Sequence, residues 1–111
     1  MEIAEQHAGD ITIVEVKGRI DSNTAKVFGE RLTNLVKAGR TRLVVDLKHI
    51  VYISSAGFRA LLVAGRLADE TNGALALCSL STETQRLFDL GAFSDLFAIY
   101  PSREEGLAKL A

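Results

Sequence analysis

At 111 residues the chain has room for one domain, and with 48% apolar and 24% charged residues it can bury a core without metals or disulfides. The 13 basic and 14 acidic residues leave a net charge of −1 and form no basic stripe, which argues against direct contact with nucleic acid. The longest apolar stretches fall short of a membrane span, and Met1-Glu2-Ile3-Ala4-Glu5 has no signal-peptide pattern, so no membrane contact and a cytoplasmic location are expected.

No linker, repeat or low-complexity segment interrupts the chain, and a single domain over 1–111 is expected. A short strand around Ile3 to Gln6 should turn at Ala8-Gly9-Asp10 into a second strand. That strand alternates from Ile11 to Lys17 and ends at Gly18. From about Asn23 to Ala38 the period becomes helical, with Ala25, Phe28, Leu32, Leu35 and Val36 on one face and Gly39 as a C-terminal cap. Leu43-Val44-Val45 reads as a central strand ending at Asp46, and Ile50 to Ile53 as an extended link.

A second helix should start at Ser54 or Ser55 and run to about Thr71, closed by Asn72-Gly73. Ala74 to Cys78 makes another central strand, in which the lone Cys78 reads as a small buried hydrophobe. Ser81 caps a third helix that stops at Gly91, Ala98-Ile99-Tyr100 forms a last strand, and Ser102 with Glu105 opens a fourth helix. The expected fold class is α/β, a small mixed sheet of about five strands with about four helices packed against it.

The segment that points most directly to function is Ile53-Ser54-Ser55-Ala56-Gly57. One serine suffices to cap a helix, so a second beside it has no obligatory structural role. Its hydroxyl lies where backbone N–H groups can bond the oxygens of an added phosphate, and the small Ala56 and Gly57 leave room for a partner or kinase to approach. The alternative is that both serines are only caps. Asp21 and Asp46 are expected at neighbouring strand ends, adding negative field beside Ser55, so that phosphorylation would oppose binding.

In the second helix, Phe58, Leu61, Leu62, Gly65 and Ala68 make a core stripe, while Ala60, Val63, Ala64 and Leu67 form a second apolar row. That row is either buried in a compact domain or partly exposed as a docking surface. Asp46, His49 and Ser55 carry the side-chain types of a hydrolase triad, but the nucleophile elbow is missing, so no catalytic residue and no enzymatic activity are expected. No Cys/His spacing suggests a metal.

Three stretches together resemble a known family. Val16-Lys17-Gly18-Arg19-Ile20-Asp21-Ser22-Asn23-Thr24-Ala25, then Val44-Val45-Asp46-Leu47 with Tyr52-Ile53-Ser54-Ser55-Ala56-Gly57-Phe58, then Gln85-Arg86-Leu87-Phe88-Asp89-Leu90-Gly91 are similar, in order and spacing, to a STAS domain of the anti-sigma factor antagonist type. The resemblance implies a STAS fold and a partner-switching cycle. The unphosphorylated protein would bind an anti-sigma factor that is also a serine kinase, phosphorylation would release it, and a serine phosphatase would reset it.

Aligned on Gly57, Ser55 takes the acceptor position, with Ser54 as the alternative hydroxyl. The family's usual aspartate is replaced by Ser54, its usual serine or threonine by Ala56, and its leucine-glycine by Phe58-Arg59. The docking surface implied comprises Gly18, Arg19, Ile20, Asp21, Ser22, Asn23, Phe58, Arg59 and Val63. No cofactor is expected, since ATP belongs to the kinase, and the protein is expected as a monomer or weak dimer. Two other readings stay open: a regulatory subunit of a transport complex that is never phosphorylated, and a partner switch with an output other than a sigma factor.

Overall fold

A computed structural model describes residues 1–111. The strands are β1 (Glu2–Ala8), β2 (Ile11–Ile20), β3 (Arg42–Ile53), β4 (Ala74–Cys78) and β5 (Ala98–Tyr100). They lie in the order β1-β2-β3-β4-β5 in one sheet. The β1–β2 hairpin is antiparallel and every other pairing is parallel, as helical crossovers require.

Helices α1 (Ala25–Lys37), α2 (Ser55–Glu70) and α3 (Thr82–Leu90) cover one face of the sheet, and α4 (Arg103–Leu110) covers part of the other. The larger core joins Val14, Val16, Val45 and Leu47 of the sheet to Phe28 and Leu32 of α1, Phe58 and Leu61 of α2, and Phe88 of α3. A small second core places Ile11, Val44, Ala76 and Cys78 under Leu110 of α4. Cys78 is fully buried there, and burial foremost, then the charge of Asp46, pushes its thiol up to about 11.

The element expectations hold with two corrections. β2 does not stop at Gly18 but passes through it to Ile20, and β3 runs on past Asp46 to Ile53. The register explains both. Glu15 pairs with Asp46 but Lys17 with His49, and Gly18 pairs with Ile50 but Arg19 with Tyr52, so β3 carries an extra residue at two places. Gly18 sits at the second of these with φ of +100°, a bend that a side chain would strain. These bulges interrupt the alternation that marks a strand, and leave Lys48 and His49 exposed in succession.

One consequence sets the position of the site. β4 and β5 end level with Asp46, because Cys78 pairs with Asp46 and with Tyr100. β2 and β3 continue beyond that level as an overhang, and α2 begins at its tip.

Candidate functional site

At the tip, the backbone N–H of Ser54 donates to the carbonyl of Ile20 at 2.8 Å, which fixes the β3–α2 turn beside the β2–α1 turn. Ser54 is the N-cap of α2, and its side chain accepts from the Gly57 N–H at 3.3 Å. Ser55 is therefore the first helical residue, and it is exposed. The structure gives the two serines the two different roles that one cap position allows.

The small residues that follow also differ in role. A Cβ on Gly57 would come within 2.7 Å of Ile53 and 2.8 Å of Ile20, so its smallness lets α2 seat on the strand ends. Gly57 is buried and does not open space for a visitor, contrary to its expected role, whereas Ala56 is half-buried at the surface.

Of the two acids, Asp21 lies where expected. Its Oδ1 accepts from the N–H of Asn23 at 2.9 Å and of Thr24 at 3.2 Å, closing the turn into α1. The Asn23 N–H foremost, with Thr24 and Arg19, outweighs the opposing effect of desolvation and holds the Asp21 carboxyl below the usual carboxylate range.

Asp46 is not part of this site. It lies seven residues before the end of β3, roughly 20 Å down the strand from α2, and on the sheet face that α4 covers. There it is buried, and its Oδ2 accepts from Arg103 Nε of α4 at 3.0 Å, while the Arg103 Nη2 lies 2.7 Å from Glu15 Oε2. Burial opposes the guanidinium's charge, but the bonds to Asp46 and Glu15 outweigh it and hold Arg103 above its usual value. The acid expected beside Ser55 is instead one jaw of a clamp that ties α4 to the sheet.

The expected docking residues also divide. Arg19, Ser22, Asn23, Arg59 and Val63 are exposed, and Gly18 and Asp21 are half-exposed. Arg19 lies over the Tyr52 ring with its guanidinium carbon 4.6 Å from the centroid. Ile20 is fully buried, and Phe58 is buried with its ring stacked on Phe93 at 4.5 Å and edge-on to Phe88 at 4.6 Å. Neither side chain can meet a partner; both are core, because they point from the tip into the space between sheet and helices.

Val63, 52% exposed, settles the question of the second apolar row of α2: Ala64 is buried, Ala60 and Leu67 are half-buried, and Val63 is open. Beside it a shallow groove of about 450 Å³ runs between α1 and α2, floored by Ala25, Gly29, Ala56 and Ala60. A Cβ on Gly29 would lie 3.1 Å from that of Ala60, so small residues on both helices set how closely they meet. Ala60 belongs to the second apolar row read from the sequence, but Lys26 and Gly29 are not among the sequence candidates; the signal is the pairing of small residues on two helix faces, which one helix read alone does not show.

No triad forms from Asp46, His49 and Ser55. Asp46 is engaged by Arg103, and His49 is an exposed strand residue paired with Lys17. No group of His, Cys, Asp and Glu side chains could hold a metal ion, and no helix is long and apolar enough to cross a membrane.

The sequence pattern of the STAS domain matches residues 2–106. The chain belongs to the STAS domain family. Among curated relatives, the anti-sigma-B factor antagonist of Bacillus subtilis is 31% identical over 93% of each chain. BtrV of Bordetella bronchiseptica, a candidate anti-sigma factor antagonist, is 30% identical over 97% of this chain and 93% of its own. Among solved structures, a candidate anti-sigma factor antagonist from Thermotoga maritima superposes with a TM-score of 0.90 at 16% identity, covering 97% of this chain and 93% of that one. In this STAS fold the β3–α2 turn lies at the carboxyl ends of β2 and β3, beside the β2–α1 turn.

Proposed function

We propose that this STAS domain is an anti-sigma factor antagonist that binds an anti-sigma factor with serine kinase activity and is released when Ser55 is phosphorylated. The observation that carries the reading is the division of labour at the start of α2, where Ser54 caps the helix and Ser55 is left exposed. The names of the curated relatives support the antagonist role, and the surface around Ser55 supports a docking site built from Arg19, Asp21, Ser22, Asn23, Arg59 and Val63.

The switch works by adding charge where a partner must be desolvated. A phosphoryl group brings about −1.5 to −2 charges to a surface that already holds the ionised Asp21. An interface fitted to a neutral hydroxyl then has to bury that charge or separate, and no rearrangement of the fold is needed. A serine phosphatase restores the neutral hydroxyl.

Affinity measurements with the anti-sigma factor test this reading. Ser55→Asp is expected to weaken binding by more than about tenfold, while Ser55→Ala binds as tightly as the wild type. Equal affinity for all three proteins would count against the switch. Both variants should keep the wild-type fold, since Ser55 caps nothing.

A further inference from the structure

We propose that a phosphoryl group on Ser55 is captured by Arg59, one turn further along α2, so that the switched state is held by an ion pair within a single helix. The inference rests on Ser55 being the acceptor. The modification it follows from is transfer of the terminal phosphoryl group of ATP: the bond to ADP breaks, a bond to Ser55 Oγ forms, and the hydroxyl proton passes to a base of the kinase.

Ser55 and Arg59 are both exposed and stand four residues apart on α2. That spacing puts their β-carbons about 6 Å apart on one face. A phosphoserine and an arginine can each extend across such a gap, and the guanidinium fork fits two phosphate oxygens at once. The order is also the favourable one, with the anion N-terminal to the cation.

The other charges nearby are turned elsewhere, lie on other elements or are further along the helix. Asp21 is turned into the N–H groups of Asn23 and Thr24. Lys26 is on another helix, across the groove on α1, where it makes a loose exposed pair with Glu30 at 4.0 Å. Arg19 is engaged by the Tyr52 ring. Arg66 is eleven residues beyond Ser55, roughly 16 Å along the helix. Arg59 takes part in none of the ion pairs of the structure. It is the cation on the same helix face as Ser55, with no ion pair to break before it turns toward the serine.

The capture has a consequence for docking. Arg59 lines the α1–α2 groove beside the exposed Val63, above the floor formed by Ala56 and Ala60. Drawn to the phosphate, its guanidinium leaves that place, so the modification changes the groove as well as the serine.

The test uses the full chain with phosphoserine placed at position 55 during translation, so no kinase is required. Phosphorus NMR then follows the second ionisation of the phosphate against pH in the wild type and in Arg59→Gln, Arg59→Lys and Arg66→Gln. Capture by Arg59 predicts a phosphate more acidic in the wild type than in Arg59→Gln, by about two- to threefold in its dissociation constant. Arg59→Lys should keep most of the difference and Arg66→Gln all of it. Identical titrations for wild type and Arg59→Gln, or an equal shift from Arg66→Gln, would overturn the proposal. Because the phosphate is installed without the kinase, failure of a kinase to modify Ser55 would strike the proposed function and leave this result standing.

Discussion

Asp21 and Asp46 look alike in the sequence, each an acid expected at the end of a strand next to the serine pair, and the structure puts them to opposite uses. Asp21 is half-exposed at the tip of the β2–β3 overhang, its charge held by backbone N–H groups and turned to solvent. Asp46 is buried at the level where β4 and β5 end, and its charge is spent on Arg103. The difference separates the molecule into a tip that carries the exposed Ser55 and a base where α4 is clamped to the sheet. A charge added at the tip can act on a partner without touching the clamp.

The largest effect expected from this separation comes from cutting the clamp. Asp46→Ala leaves the Arg103 guanidinium, only 24% exposed, with Glu15 as its remaining carboxylate. Breaking a well-buried pair costs roughly 3–5 kcal/mol, and the access to water and the second partner reduce the expected loss to about 2 kcal/mol of stability. Urea denaturation measures it. Under native conditions the same variant should bind the anti-sigma factor as the wild type does. Lost binding with unchanged stability would mean that Asp46 belongs to the tip after all.

A smaller effect, confined to acid, is expected at Asp21. Its folded-state pKa lies below the value in the unfolded chain, so its contribution is fully present above about pH 4 and is lost as pH falls through the folded-state value. Asp21→Asn should therefore reduce stability at neutral pH, and the gap to the wild type should close below about pH 4. Stability measured by denaturation across that range reads the closing directly. A gap that persists unchanged at low pH would show that the carboxylate charge plays no part.

Much of the fold was legible because its signals are local. The period change at the start of α1, the caps Ser81 and Ser102, and the apolar run of β4 each lie within a few residues and were placed correctly. The length of β3 is not legible, because its two bulges break the alternation on which strand reading depends, so that Asp46 reads as a strand end. Phe58 was legible as core from its helical spacing, but its neighbourhood to Ser55 in sequence also put it among docking residues; the helix turns it 100° per residue away from its neighbours and onto Phe88 and Phe93. The clamp could not be read at all, since Asp46 and Arg103 are 57 residues apart and nothing local couples them.

The most direct test of the central claim is intact-mass spectrometry after incubation with the cognate kinase and ATP, run on the wild type, Ser55→Ala and Ser54→Ala. The account predicts one added phosphate on the wild type and on Ser54→Ala, and none on Ser55→Ala. A phosphate retained by Ser55→Ala and lost from Ser54→Ala would contradict it, and would make the helix cap itself the switch.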